Sequence, residues 1–243
     1  MRKLYLFRHG KTRGNLERRY IGSTDEPLCR EGRKGLEGRT GPGVSLVFAS
    51  PMKRCLETAG ILYPGQVPIL IPELAECDFG LFENRNYEEL CKLREYRQWI
   101  DTGGREAPPE GESRRDFQSR VLAGFQKALA VCERKDAQTA ALVVHGGTIM
   151  GIMEAYAVPQ GDFYDYQIRN GEGYELILAD DASSSGWISA GSSAGRSGMA
   201  VSSGAAYGEA DHRSGTNYQK IPAGDAKGPA DRGRDTGGAG GAV

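Results

Sequence analysis

Histidine is scarce in this 243-residue chain: there are three. Long apolar runs are missing as well. No stretch approaches the roughly 18–20 residues that cross a bilayer, so no membrane span is expected. An excess of one charge is also lacking. Lys and Arg number 31 against 32 Asp and Glu, a net charge of −1, and bulk electrostatics gives no footprint of a nucleic-acid partner. The five cysteines, Cys29, Cys55, Cys77, Cys91 and Cys132, are odd in number and irregularly spaced, with no C-x-x-C. That excludes an ordinary disulfide framework or zinc site and leaves reduced, packing cysteines in a chain expected to be cytoplasmic. The basic start Met1-Arg2-Lys3 leads into an apolar run that Arg8 breaks after Phe7, too short for the core of a secretory leader.

Composition divides the chain. Residues 1–180 carry the pattern of one globular domain. Residues 181–243 are dominated by Gly, Ser, Ala and Asp, with few large apolar side chains, chiefly Trp187, Ile188, Met199, Val201 and Ile221. Such a segment buries too little apolar surface to offset chain entropy, and it is expected to be a disordered tail.

Within the first part, strand and helix signals alternate. Strands are predicted at Leu4–Phe7, Val44–Phe48, Pro68–Ile71, Ala140–Val144 and Tyr174–Leu178. A loop is predicted from Gly10 to about Cys29. Helices are predicted at Arg30–Gly38, Lys53–Tyr63, Tyr87–Asp101, Ser113–Lys135 and Thr148–Tyr156. The alternation argues a three-layer α/β fold.

What is present is a repeated context. Leu4-Tyr5-Leu6-Phe7 ends in Arg8-His9-Gly10, and Ala140–Val144 ends in His145-Gly146-Gly147-Thr148. The third histidine, His212, lies in the tail, so both histidines of the domain close an apolar strand and precede glycine. Packing does not explain that. The C-terminal tips of strands in open α/β sheets are where ligands bind. Phosphoryl transfer needs a nucleophile, donors around three phosphoryl oxygens and an acid for the leaving oxygen. His9 is the candidate nucleophile. Arg8 and Arg54 are candidate forked donors. His145, if protonated, adds another donor, and a helix beginning near Thr148 presents free N–H groups. Asn15 can donate its amide. Glu76, after the strand Pro68–Ile71, is the candidate acid. Taken singly, Arg54 reads as a solvated or ion-paired helix residue and Glu76 as a surface carboxylate. It is their joint occurrence with two histidines that favours chemistry.

Four segments carry a resemblance. Arg8-His9-Gly10-Lys11-Thr12-Arg13-Gly14-Asn15 is similar to R-H-G-x-T-x-x-N. Ser50-Pro51-Met52-Lys53-Arg54-Cys55-Leu56-Glu57-Thr58-Ala59 is similar to S-P-L-x-R-x-x-x-T-A, with Met52 in place of Leu. Glu76-Cys77-Asp78-Phe79-Gly80-Leu81-Phe82-Glu83 is similar to E-x-x-F-G-x-x-E, and Val143–Ile149 to V-x-H-G-G-x-I. In this order they resemble the histidine phosphatase superfamily over residues 4 to about 178. The resemblance implies a phosphoglycerate mutase-like α/β/α sandwich on a mostly parallel sheet. It implies a phosphohistidine at His9, a pocket of Arg8, Arg54 and His145, proton donation by Glu76, and neither metal nor other cofactor. Lys11 stands where the family often has an acidic residue.

Within the family, the region after Glu76 lacks evident paired lid arginines of a mutase; Arg114-Arg115 is the nearest candidate. Tyr96–Trp99, Pro108–Ser113 and Asn170–Tyr174 are similar to the phosphatase branch. Tyr20-Ile21-Gly22-Ser23-Thr24-Asp25-Glu26-Pro27-Leu28 looks like the loop of α-ribazole phosphatases, which makes Ile21 and Gly22, with Asn15 and Gly146, candidate substrate contacts. Tyr20, Phe82 and Trp99 could stack on an aromatic substrate group or be core. The expected partner is a small phosphomonoester. A phosphoglycerate mutase, a broad-specificity sugar or nucleotide phosphatase and a non-catalytic binding module on the same fold stay open.

Overall fold

The apolar runs divide by alternation. Leu4, Leu6, Ala140, Leu142 and Val144 turn to one face of a sheet, while Tyr5, Phe7, Ala141 and Val143 turn to the other. Both faces are covered, which is why these strands read as continuous hydrophobic runs. The computed structural model describes residues 1–179 and 217–223. Its strands are β1 (Arg2–Arg8), β2 (Leu46–Ala49), β3 (Ile69–Leu70), β4 (Thr139–Val144), β5 (Gly173–Leu178) and β6 (Tyr218–Ile221). They lie in the order β3-β2-β4-β1-β5-β6. The first four are parallel, β5 is antiparallel to β1, and β6 is antiparallel to β5.

Helices α1 (Arg13–Leu16), α2 (Arg30–Lys34), α3 (Lys53–Leu62), α4 (Tyr87–Leu90), α5 (Arg94–Asp101), α6 (Arg114–Arg134) and α7 (Gly146–Tyr156) complete the domain. On one face of the sheet, Phe117, Val121, Phe125 and Leu129 of α6 and Ile149, Ile152 and Met153 of α7 form the main core. Cys55, Ala59 and Leu62 of α3 cover the other face with Leu28 and Leu36. Helices on both faces of a mostly parallel sheet are the expected three layers. Ser113 caps α6 by accepting from the Asp116 amide, which starts the helix where the sequence places it. Phe125 is fully buried, and truncating it to Ala would cost about 3–5 kcal/mol.

Three local expectations are corrected. The helix expected over Tyr87–Asp101 is two. Asn86 and Glu89 close a capping box on the short α4, and Leu93 is extended before α5. The loop expected from Gly10 to Cys29 contains α1, capped by Thr12 and Asn15. Residues 217–223 fall in the segment expected to lack structure, yet β6 pairs with β5 there. Tyr218 meets the rings of Tyr166 and Tyr174, and Lys220 meets Glu172 at 3.1 Å. The rest of that expected tail lies outside the described residues.

Candidate active site

Strand register brings the two histidines together. β1 and β4 are parallel neighbours with Phe7 opposite Val143 and Arg8 opposite Val144, so the next residue on each strand is a histidine at the same edge. Their ring centroids are 5.2 Å apart and both side chains are buried. The His9 amide donates to the Val144 carbonyl at 3.0 Å, fixing the end of β1. The Gly10 amide donates to Thr58 Oγ1 at 3.0 Å, and that hydroxyl donates to the Arg54 carbonyl at 2.6 Å.

His9 Nδ1 is 2.7 Å from the Gly10 carbonyl. A carbonyl can only accept, so Nδ1 carries the proton and Nε2 keeps its lone pair. Burial first, then the guanidinium groups of Arg54 and Arg8, push the His9 pKa well below 6.5. The imidazole is therefore neutral with a nucleophilic nitrogen.

Arg54 is the second residue of α3, which follows β2, and is fully buried. Its Nη1 donates to the Thr24 carbonyl at 2.7 Å, Nη2 to the Gly22 carbonyl at 2.8 Å and Nε to His145 Nδ1 at 3.2 Å. The His145 proton accordingly sits on Nε2, which donates to Ser50 Oγ at 2.8 Å. Burial, with Arg54, His9 and Arg8, holds the His145 pKa well below 6.5. In the free site the ring of His145 is thus neutral with both nitrogens engaged, so the condition under which it adds a donor is not met there.

Arg8 Nη1 donates to the Ile168 carbonyl at 2.6 Å, while its buried Nε has no hydrogen-bond partner among the described residues. Burial lowers its pKa, against the carboxylates of Glu76 and Glu172. Asn15 Oδ1 accepts from the Thr12 amide at 3.2 Å and from Asn170 Nδ2 at 3.0 Å. Two donors on the oxygen fix the amide so that its NH2 is the end left to donate. Asn170 also donates to the His9 carbonyl at 3.2 Å, tying both residues to one loop.

Helix α7 starts at Gly146, two residues earlier than predicted, and its first turn explains the two glycines. A Cβ on Gly146 would lie 3.3 Å from Arg8 Cζ, and one on Gly147 would lie 2.4 Å from Glu76 Oε1. The Gly147 amide donates to Glu76 Oε2 at 3.0 Å and the Cys77 amide to Oε1 at 3.0 Å. The helix N-terminus thus holds the carboxylate of Glu76 beside Arg8.

Ile21 and Gly22 have structural partners of their own. Ile21 is buried against Gly14, where a Cβ would come within 2.4 Å of its side chain. Gly22 presents its carbonyl to Arg54, and a Cβ there would lie 1.7 Å from the Cys77 carbonyl oxygen. Phe82 is core, while Tyr20 and Trp99 are half-buried in a ring cluster with Phe79.

Sequence reasoning passed over Ser50, Thr58, Asn170 and Glu83. Glu83 accepts from the amides of Gly22 at 2.9 Å and Ser23 at 2.8 Å and from the Thr24 hydroxyl at 2.8 Å. It thereby shapes the turn whose carbonyls hold Arg54. Ser50, Thr58 and Glu83 stand inside the family-like motifs and Asn170 inside the phosphatase-like segment Asn170–Tyr174, and that is the signal that could have found them. Among the described residues, no three His, Cys, Asp or Glu side chains form a group that could hold a metal ion, and no helix is long and apolar enough to cross a membrane.

The family described as "Histidine phosphatase superfamily (branch 1)" matches residues 4–186. The chain is 34% identical over 161 residues to "Probable phosphoglycerate mutase GpmB" of Enterobacter sp. (strain 638), covering 63% of this chain and 73% of that protein. It is 27% identical over 178 residues to "Adenosylcobalamin/alpha-ribazole phosphatase" of Escherichia coli (strain K12), covering 70% and 86%. The crystal structure of the alpha-ribazole phosphatase from Shigella flexneri superposes with a TM-score of 0.63 at 22% identity, covering 73% of this chain and 91% of that one, a likeness of fold.

Proposed function

We propose that this chain, which belongs to the histidine phosphatase superfamily, hydrolyses small phosphomonoesters by way of a phosphohistidine at His9. The observation that carries the reading is the tautomer of His9. With Nδ1–H held by the Gly10 carbonyl, Nε2 offers a lone pair beside two buried guanidinium groups. In the first step Nε2 attacks phosphorus, the ester P–O bond breaks, and the leaving oxygen takes a proton from Glu76. In the second, water attacks phosphorus while the Glu76 carboxylate takes its proton. The N–P bond then breaks, inorganic phosphate leaves and the lone pair returns to Nε2. Arg8 Nε, the Asn15 amide and the start of α7 supply donors to the phosphoryl oxygens. His145, with Nδ1 accepting from Arg54 and Nε2–H donating to Ser50, holds the Arg54 guanidinium in place beside His9.

For the substrate, we favour an α-ribazole phosphate-like ester. The similarity of the Tyr20–Leu28 loop and the Escherichia coli relative support it, as do the half-buried Tyr20 and Trp99 rings, 5.5 Å apart. A second reading, a phosphoglycerate mutase, has the more identical relative behind it. Against it, Arg114 is engaged with Glu154 at 2.9 Å and stacked over Phe163. The free thiols of the five cysteines support a reducing, cytoplasmic setting.

The test is phosphate release from α-ribazole phosphate, 3-phosphoglycerate and p-nitrophenyl phosphate by wild type and His9→Ala, with a chelator present. The expected result is chelator-resistant release that needs His9, with an acid-labile phosphoenzyme trapped on quenching. Isomerisation of 3-phosphoglycerate without release would establish the mutase instead.

A further inference from the structure

Glu76 stands on a piece of chain that has no strand or helix to hold it. It follows a single 3-10 turn, Pro72–Leu74, and yet its carboxyl must meet a leaving oxygen. Irregular buried backbone needs partners for its carbonyls, and these come from two side chains. Arg120 Nη1 donates to the carbonyls of Glu73 at 2.9 Å and Ala75 at 3.1 Å, and Nη2 to that of Glu76 at 3.2 Å. Thr148 Oγ1, on α7, lies 3.3 Å from the Leu74 carbonyl and 3.4 Å from that of Ala75. Four consecutive carbonyls are thereby held by side chains.

Arg120 is itself aimed. It projects from the second turn of α6, and Glu112, just before the helix, grips it, Nε donating to Oε1 at 2.9 Å and Nη2 to Oε2 at 2.7 Å. The planar fork, with each nitrogen engaged, can bridge a carboxylate and three carbonyls at once. A lysine has the charge without that reach. The Glu76 carboxyl is fixed at its outer end by the Gly147 amide and at its root by Arg120.

We propose that Arg120, held by Glu112, is a positioning residue that sets Glu76 for proton donation to the leaving group. This rests on the reading of Glu76 as the acid. An aryl phosphate such as p-nitrophenyl phosphate expels a stable anion without a proton, whereas an alkyl phosphate needs one. The ratio of kcat/KM for glycerol 3-phosphate to that for p-nitrophenyl phosphate therefore reports proton donation in the first step alone, and general loss of structure does not move it.

The experiment measures this ratio in wild type, Glu76→Gln, Arg120→Met, Arg120→Lys and Glu112→Gln. Glu76→Gln is expected to lower the ratio about 10²-fold, the range of general acid catalysis. Both Arg120 variants are expected to lower it about tenfold or more, with Glu112→Gln following in the same direction. Glu112→Gln keeps the size of the side chain and carries the test should Arg120→Met fail to fold. An unchanged ratio in the Arg120 and Glu112 variants, with Glu76→Gln selective, overturns the positioning role and leaves the acid in place. An unchanged ratio in Glu76→Gln overturns the acid assignment, and the positioning role with it. Full rescue by Arg120→Lys overturns the fork in favour of charge.

Discussion

Arg54 and His145 share one hydrogen bond, Nε to Nδ1 at 3.2 Å, in a region closed to solvent. Its direction decides the protonation of the second histidine. Arginine has no acceptor, so His145 must accept at Nδ1, and its single proton is displaced to Nε2 and Ser50. The guanidinium is meanwhile held from its other end by the carbonyls of Gly22 and Thr24. One buried chain of donors thus runs from the turn after Tyr20, through α3, to the end of β4 and β2.

Ser50→Ala removes the last acceptor of that chain and leaves a buried N–H. An unsatisfied buried donor costs about 1–3 kcal/mol. Cys55 Sγ, 3.5 Å from Nε2, is a weak substitute acceptor, which puts the expected loss at the lower end. Chemical denaturation of the two proteins measures it. No change in midpoint would mean that the His145 proton is not on Nε2.

Gly147→Ala separates activity from stability. Alanine is the better helix former, but its methyl would lie 2.4 Å from Glu76 Oε1 and 3.2 Å from Phe117 Cζ, so the ring must give by a few tenths of an ångström and the carboxylate by much more. The carboxylate has to move, and the amide bond to Oε2 goes with it. The expected outcome is a kcat/KM lower by about 10²-fold on an alkyl phosphate, the size of a lost general acid, at a melting temperature near that of wild type.

Glu83→Gln weakens the anchor of the Gly22–Thr24 turn without changing its size. One acceptor oxygen remains where two served four amides and a hydroxyl. Charge-assisted bonds of this kind are worth about 1.5–3 kcal/mol each. The expected result is a KM for substrate raised about tenfold, since Arg54 loses its seat, together with a lower melting temperature. Steady-state kinetics checks it, and an unchanged KM would detach Glu83 from Arg54.

The sequence is legible at some of these places and not at others. His9 and His145 stand out because strands buried on both faces are continuous apolar runs, so a polar pair at their tips is conspicuous. The long α6 is legible from its apolar face and its Ser113 cap. Arg120 is not, because its role is to donate to carbonyls some 45 positions earlier, a relation that no local pattern encodes. Ser50 and Glu83 lie in recognisable motifs, yet their partners come from other strands and turns. The split between α4 and α5 is set by a capping box and by burial of Leu90 and Tyr96 with Phe82, against a periodicity that runs through it. β6 has only four residues and depends on an edge of β5 that composition does not show.

Acid is expected to destabilise the protein before its carboxylates titrate. Burial and the two guanidinium groups hold His9 and His145 neutral in the folded state, with pKa values well below 6.5. In the unfolded chain each returns to an ordinary value near 6.5. Below that pH the unfolded state binds protons that the folded state refuses, so stability rises with pH through this window and is lost as pH falls. The slope is at most about 1.4 kcal/mol per histidine for each pH unit. The carboxylates with depressed pKa, Glu17, Glu31, Glu73, Glu89 and Glu172, lose their contribution only below about 4.5, leaving pH 5–6.5 to the histidines. Melting temperatures taken from pH 7.5 to 5 are expected to fall, with a shallower fall in His9→Asn and in His145→Asn. A flat profile in wild type would mean that the rings accept protons in place. The lone pair on His9 Nε2 would then be lost near neutral pH, where the proposed first step needs it.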